Sequence, residues 1–106
     1  MEKVTWKATL LPGKREEYIR RHDELPEEMK EVFKEAGIVN YTIWNVGNEL
    51  FGYYECEKGV EHAAKVQRES PVIKRWDEYM SDILIMDKDP ETGAQPLLRK
   101  VFSYGE

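Results

Sequence analysis

The sequence predicts an α+β protein in which one antiparallel sheet is covered on one face by helices. Three observations lead to this prediction. The length of 106 residues favours one compact domain, which we expect to span residues 1–106. Apolar residues alternate with a period of two in several segments, as in half-buried strands, and other segments have helical spacing with capping signals. The resulting order is β-α-β-β-α-β.

The first strand and the first two helical segments form the start of this order. The strand covers residues 3–11, and the apolar residues on one of its faces are Val4, Trp6, Ala8 and Leu10. A Pro-Gly pair closes the strand, and a helix is predicted from Lys14 to Asp23. Because Pro26 lacks an N–H, it cannot lie deep within that helix and is expected to open a second segment. This segment runs to Ala36 and ends at Gly37.

The middle of the chain is predicted to form a β-hairpin followed by a helix. Residues Val39–Trp44 and Leu50–Cys56 are rich in β-branched and aromatic side chains, which favour strands. The four residues between them, Asn45–Asn48, are typical of a hairpin turn. The spacing of apolar residues over Val60–Gln67 then predicts a helix.

The C-terminal part is predicted to contain one further helix and the last strand. Ser70 is a suitable N-cap, and Pro71 fits the first helical position. Helical spacing relates the apolar and aromatic residues that follow, which are Ile73, Trp76, Met80, Ile83 and Leu84. A turn-rich linker over Asp87–Gly93 then leads to the final strand, Leu97–Tyr104.

The composition argues against several classes of function. The net charge of −5, from 16 Lys and Arg against 21 Asp and Glu, disfavours a nucleic-acid or anionic-membrane surface, because either requires a basic stripe. No apolar run approaches the roughly 18 residues of a membrane span, and the N-terminus lacks a signal-peptide core. Cys56 is the only cysteine, which excludes an internal disulfide and favours a reducing, cytoplasmic location. Its neighbours Glu55 and Glu57 should raise the thiol pKa, so we expect a structural role for it.

One face of the predicted sheet has no helices against it. Trp6 or Trp44, with other apolar residues, is expected to lie on that uncovered face. An exposed apolar surface of this kind favours association with a partner sheet, so we expect a homodimer.

A tyrosine and a histidine one helical turn apart are the first candidates for a functional site. The spacing of Tyr18 and His22 places both side chains on one helix face, and Leu25 and Met29 continue that face toward the core. A lone histidine on an apolar face is commonly structural, but a phenol beside an imidazole can also transfer protons. Tyr41 in the neighbouring strand strengthens the functional interpretation. His62, by contrast, is expected to face solvent.

The aromatic residues of the last helix suggest a carbohydrate ligand. Either Trp76 packs in the core, or its indole stacks on the C–H face of a sugar ring while Nε1–H donates a hydrogen bond. Tyr79 extends the same aromatic surface. The sequence contains no HExxH, CxxC, GxGxxG or P-loop motif, so acid–base chemistry without a metal or nucleotide cofactor is the reaction type that remains.

Several segments along the chain also follow the pattern of a known family. They are Tyr18–His22, Gly37–Tyr41, Arg75-Trp76, Tyr79-Met80 and Lys100–Phe102. In register and spacing these segments resemble the L-rhamnose mutarotase family over nearly the whole chain. The resemblance implies a dimeric α+β barrel of ferredoxin-like topology. It also implies an isomerase of the aldose 1-epimerase type that interconverts the α and β anomers of L-rhamnose, or of a related 6-deoxy sugar, without a cofactor.

The same resemblance assigns roles to individual residues. His22 is implied as the proton donor, and the implied sugar contacts are Tyr18, Tyr41 and Trp76. The next position also binds sugar in the family and is often a second tryptophan, whereas here it is Asp77. The Trp-Pro-Glu that usually follows the histidine reads Pro26-Glu27-Glu28 here, so the tryptophan is missing. Both changes remove aromatic surface, and the carboxylate of Asp77 is expected to hydrogen-bond a sugar hydroxyl instead.

Mutarotation requires protonation of the ring oxygen and loss of the anomeric hydroxyl proton. We expect His22 to act as the general acid, with Tyr18 or a water molecule handling the anomeric proton. Two other functions remain open from the sequence. One is a non-catalytic dimeric α+β barrel domain that binds a small sugar or another small molecule through Trp76 and Tyr41. The other is a cofactor-free monooxygenase of the same architecture acting on aromatic polyketides.

Overall fold

The structure, a computed structural model, describes residues 1–85 and 96–105. These residues form four strands and four helices in the predicted alternation, with two consecutive helices in each connection. In chain order they are β1 (Glu2–Leu10), α1 (Arg15–Asp23), α2 (Glu27–Ala36), β2 (Ile38–Val46), β3 (Glu49–Cys56), α3 (Val60–Glu69), α4 (Pro71–Met80) and β4 (Leu84–Ile85). The predicted α+β class and element order are confirmed.

The four strands form one antiparallel sheet in the order β2-β3-β1-β4, which is the ferredoxin-like arrangement. Strand β1 lies between β3 and β4, so β1 and β4 are neighbours although β2, β3 and all four described helices lie between them in sequence. Alternation along β1 points four residues toward the helices, and all of them are buried: Val4, Trp6, Ala8 and Leu10. The helices therefore cover one face of the sheet, as predicted.

The helix ends follow the expected local chemistry. Gly37 ends α2 with a φ of 75°, a left-handed conformation that glycine adopts without steric cost. At the start of α4, the Ser70 hydroxyl accepts hydrogen bonds from the N–H groups of Val72 and Ile73, and Pro71 occupies the first turn. Within the described parts of the chain, no helix combines the length and apolar character needed to cross a membrane.

Two predictions for the C-terminal region were wrong. Helix α4 ends at Met80, and Leu84 lies in β4, where it pairs with Leu10. The predicted strand over Leu97–Tyr104 is reduced to an isolated bridge between Leu97 and Trp6. Leu84–Ile85 pairs with Thr9–Leu10 at one end of the β1 edge. Residues 96–98 reach β1 farther along, through backbone hydrogen bonds at Thr5 and Lys7, and these form a bridge rather than a full strand. The linker predicted over residues 87–93 falls outside the described residues.

Trp44 lies on the sheet face opposite the helices with 68% of its surface exposed, so residues 1–85 and 96–105 leave this face uncovered there. Phe51 is its cross-strand partner, and Tyr53 lies on the same face of β3. Trp6 instead lies on the covered face. Of the two tryptophans that the sequence allowed for the uncovered face, Trp44 is therefore the one that occupies it.

The indole of Trp6 crosses the neighbouring strand and thereby requires a glycine there. Trp6 on β1 pairs with Gly52 on β3, and its Nε1–H donates to the Tyr41 hydroxyl on β2 at 3.0 Å. A Cβ at position 52 would lie 2.0 Å from the indole ring. The indole can reach Tyr41 only because Gly52 has no side chain.

We expect Gly52→Ala to lower the free energy of unfolding by about 3 kcal/mol, because the indole is buried and cannot move aside without strain. Chemical denaturation would measure this loss. A Trp6→Phe change on the same background should recover part of it, since the smaller ring relieves the overlap and the two substitutions are then not additive. Full additivity of the two changes would contradict the packing described above.

Candidate active site

A large cleft lies between the covered face of the sheet and the helices, with a volume of about 1560 Å³. Aromatic and apolar side chains from several elements line most of it. All five residues singled out from the sequence line this cleft: Tyr18, His22, Tyr41, Trp76 and Asp77. The fold thus brings together residues from α1, β2 and α4. Such an apolar cavity with a few convergent polar groups is the usual form of a small-molecule site.

The histidine of α1 is oriented by its own helix. The Nδ1 of His22 lies 3.0 Å from the Tyr18 carbonyl oxygen. Because a carbonyl oxygen can only accept, Nδ1 carries a hydrogen and Nε2 is the nitrogen left for a ligand. Burial lowers the pKa of His22 below its ordinary value, and the hydrogen bond to Tyr18 opposes this shift only in part. The imidazolium is therefore a stronger acid here than in water.

Two aromatic rings contact the imidazole, one from its own helix α1 and one from α4. The Tyr18 ring lies on α1 with its centroid 4.3 Å from that of His22. The Trp76 indole on α4 meets His22 edge to face, with centroids 5.4 Å apart and planes at 89°. Tyr79 does not line the cleft, and its ring lies instead beneath a cation described below. The aromatic surface predicted on α4 is thus represented in the cleft by Trp76.

Tyr41 points into the cleft because of a β-bulge in β2. The register skips from Val39 opposite Glu55 to Thr42 opposite Tyr53, so β2 contains one extra residue. Asn40 has a φ of 51° at this point, which asparagine tolerates better than most residues. The extra residue reverses the alternation, so Tyr41 rather than Asn40 faces the helices.

Both phenols in the cleft are held in the protonated form. Burial raises the pKa of Tyr18 above its ordinary value. Burial also raises the pKa of Tyr41, although the Trp6 N–H that its hydroxyl accepts opposes the shift. Both side chains can therefore donate hydrogen bonds to a ligand, but neither is a ready proton acceptor.

Asp77 adds a carboxylate to this largely aromatic lining. It follows Trp76 on α4, one turn after Ile73 and one turn before the buried Met80. The side chain is open to solvent at the cleft, yet partial burial raises its pKa above the ordinary value. Its charge also contributes to the raised pKa of Tyr41, so the two groups interact across the cleft.

A search against protein families matches residues 3–104 to the sequence model of L-rhamnose mutarotase. Curated proteins with that name are similar to the chain over nearly their whole length. One from Acidiphilium cryptum is 36% identical over 104 residues, covering 96% of this chain and 97% of its own. Another from Lachnoclostridium phytofermentans is 37% identical over 105 residues, with the same coverage. The chain belongs to the L-rhamnose mutarotase family.

Solved structures agree with this membership. The crystal structure of an L-rhamnose mutarotase from Formosa agariphila superposes with a TM-score of 0.78 at 26% identity and covers 98% of this chain and 99% of its own. The tetracenomycin F2 cyclase of Streptomyces glaucescens superposes with a TM-score of 0.72 at 11% identity, which shows the shared fold alone and covers 100% and 99% of the two chains. The predicted family, fold class and isomerase class are thus confirmed.

A buried arginine next to the histidine is the main site feature that sequence reasoning missed. Only 8% of the surface of Arg21 is exposed, and its guanidinium lies 4.3 Å from the centroid of the Tyr79 ring. It donates to Glu17 on its own helix at 2.7 Å, to the Tyr79 carbonyl at 2.8 Å and to Asp82 at 2.9 Å. Arg21 thus fastens α1 to the end of α4, where the last carbonyls lack helical partners. Helical spacing places Arg21 on the same inward face as Tyr18 and Leu25, and this position could have revealed that it is buried.

Two further predictions about single residues are confirmed. Cys56 is buried with a raised pKa, chiefly because of burial and secondarily because of Glu2, whereas the sequence suggested its flanking glutamates as the cause. His62 is exposed on α3, where its Nε2 lies 3.0 Å from the Glu35 carbonyl oxygen.

We expect Asp82→Asn to lower the melting temperature at neutral pH, because it removes the carboxylate that binds Arg21. Arg21 lowers the pKa of Asp82 below its ordinary value of 3.8, so the ionised form stabilises the fold above that pH. The contribution is lost as the pH falls through the lowered pKa. Thermal unfolding followed by circular dichroism should therefore show a difference from the wild type at about pH 7 that shrinks toward about pH 2. Glu69→Gln removes one negative charge from an exposed position and should show no such difference.

Proposed function

We propose that this chain interconverts the α and β anomers of L-rhamnose without a cofactor, with His22 as the general acid. The observation that carries the proposal is the cleft in which an oriented imidazole lies between Tyr18 and Trp76. Family membership over residues 3–104 supports the choice of sugar. A related 6-deoxy sugar is the alternative substrate, which is suggested by Asp77 at a position where the family often has tryptophan.

The proposed role of His22 follows from the state of its two nitrogens. Nδ1 donates to the Tyr18 carbonyl, so the imidazolium would give up its Nε2 proton to the ring oxygen of the sugar. The C1–O5 bond then breaks, the C1–C2 bond rotates, and the ring closes on the other face. The reaction already proceeds in water, so one positioned acid is sufficient for a useful acceleration.

The remaining cleft residues would bind the sugar rather than react with it. Trp76 offers an indole face for the apolar side of the ring. Tyr18 and Tyr41 remain protonated and would donate hydrogen bonds to sugar oxygens. The phenol of Tyr18 therefore becomes an orienting group in this scheme, since its raised pKa disfavours the base role that the sequence left open.

The test is proton NMR exchange spectroscopy of the anomeric signals of L-rhamnose, with L-fucose, L-lyxose and L-mannose in parallel. We expect faster exchange with L-rhamnose and a loss on the order of 10²–10⁴-fold for His22→Ala, which is the usual contribution of one acid–base group. His62→Ala is the matched control, because it removes the exposed histidine of α3 and should leave exchange unchanged.

Two results would contradict the proposal. A folded His22→Ala protein with full exchange would remove the general-acid role. A folded wild-type protein that binds the sugars without accelerating exchange of any of them would point instead to a non-catalytic binding domain.

We also infer a homodimer, formed through the uncovered face of the sheet, in a reducing cytoplasmic location. The inference is supported by the apolar groups on this face, including Trp44 and its neighbours Phe51 and Tyr53. Val101 and Phe102 near the C-terminus are also exposed. Large apolar side chains of this kind commonly mark an association surface.

We expect Trp44→Glu to convert the dimer into monomers, because it replaces an exposed indole on the apolar face with a charge. Light scattering coupled to size-exclusion chromatography would report the mass of the wild type and the variant. Lys65→Glu on α3 is the control, since this exposed residue lies on the helical side of the molecule. A monomeric wild type, or a Trp44→Glu variant that remains dimeric, would contradict this interface.

A further inference from the structure

Asp77 is a carboxylate on the helix stripe that faces the sheet. Ile73 lies four residues before it, and Met80, of which 2% is exposed, lies three residues after it. A charged residue at this position is unfavourable for simple packing, where an apolar side chain would bury more surface. Because the cleft opens at this point, the side chain remains accessible to solvent and hence to a ligand.

The carboxylate of Asp77 has no structural task that would explain its place. Among residues 1–85 and 96–105 it has neither a hydrogen bond nor an ion pair, whereas Glu17 and Asp82 each bind Arg21. Its charge contributes, as the smallest of several causes, to the raised pKa of Tyr41 across the cleft. An unpaired carboxylate beside a cavity retains all its acceptor sites for a ligand hydroxyl.

Among the described residues that line the cleft, the aromatic and imidazole groups offer no good acceptor for the second proton of mutarotation. Tyr18 and Tyr41 have raised pKa values and stay protonated. His22 is already assigned to the ring oxygen. Two other carboxylates among the described residues line the cleft, Asp23 and Glu78, and both are exposed. The charge of Asp23 acts on His22, whose pKa it raises, so Asp23 supports the protonated imidazole.

We propose that Asp77 is the general base of the reaction and accepts the anomeric hydroxyl proton while His22 protonates the ring oxygen. This inference rests on the proposed mutarotase function and deepens it. Both side chains line the same cleft as the Trp76 indole: His22 meets the indole edge to face with ring centroids 5.4 Å apart, and Asp77 is the next residue on α4. A sugar ring lying on the indole would therefore meet an acid and a base together.

All protons and electron pairs are accounted for in this scheme. In ring opening, Asp77 takes the proton of the anomeric hydroxyl, O1 forms a double bond to C1, and the C1–O5 electron pair moves to O5. O5 takes the proton from His22 Nε2, which leaves neutral imidazole, a carboxylic acid and the open-chain aldehyde. After rotation about C1–C2, the reverse transfers close the ring on the other face and restore both side chains. No proton is exchanged with solvent, and no co-reactant is needed.

The two pKa shifts suit such a pair. Burial lowers the pKa of His22 and raises that of Asp77, so the two values approach each other and proton transfer in either direction is less costly. The active form holds one proton on the pair, so the rate should depend on pH in a bell shape. The other titratable groups that line the cleft from each element are Arg15 and Asp23 of α1, Tyr54 of β3, Arg68 of α3, and Lys74 and Glu78 of α4.

The decisive experiment compares wild type with Asp77→Asn by exchange spectroscopy at several sugar concentrations and pH values. Asparagine has nearly the size of aspartate and can still hydrogen-bond a sugar hydroxyl, but its amide cannot accept a proton. We expect kcat to fall by on the order of 10²-fold while KM changes little, and the acidic limb of the pH profile to disappear. Glu69→Gln is the control for the lost surface charge. Sodium formate should restore exchange to Asp77→Ala, measured against formate without protein.

The outcomes separate this inference from the function on which it rests. A wild type that accelerates exchange, together with an Asp77→Asn variant that keeps kcat and the acidic limb, would overturn the base role alone. A rise in KM with unchanged kcat would also overturn it and make Asp77 a binding contact. A wild type without any acceleration would overturn the mutarotase function itself.

Discussion

The geometry of the site depends on the buried guanidinium of Arg21. Helices α1 and α4 are far apart in sequence and contribute His22 and Trp76 to the cleft, so the relative position of the two helices decides whether these rings meet. Arg21 joins them by donating at once to Glu17 on α1 and to the Tyr79 carbonyl and Asp82 at the end of α4. A buried cation of this kind is tolerated only because acceptors and an aromatic ring surround it.

The floor of the cleft depends on two departures from a regular sheet. The bulge at Asn40 turns Tyr41 toward the helices, and the missing side chain at Gly52 lets the Trp6 indole reach its hydroxyl. Each departure is unfavourable for a strand taken alone. Together they place a fixed, hydrogen-bonded phenol beneath the position proposed for the sugar. A regular β2 would have presented Asn40 there instead.

Most elements could be predicted because their signals are local. Alternation defined β1, and the Ser70 cap defined the start of α4. The β4 pairing at Leu84 could not be predicted in this way, because it depends on how two segments distant in sequence share the β1 edge. The pairing of Tyr18 with His22 followed from helical spacing, whereas Arg21 was missed because its partners lie 58 and 61 residues away. The bulge at Asn40 is likewise visible only from the register of the partner strand.

The two walls of the cleft differ in how freely they can change. Tyr41 shares its hydroxyl with Trp6, which lies on Gly52, so a substitution on the sheet side disturbs a chain of mutually dependent residues. On α4, the Asp77 side chain has no partner among the described residues and extends into open space. A substitution at position 77 should therefore cost little folding stability, so that only the proposed reaction constrains this side chain. The sheet side of the cleft is therefore fixed by folding, whereas the α4 side is fixed by what the cleft binds.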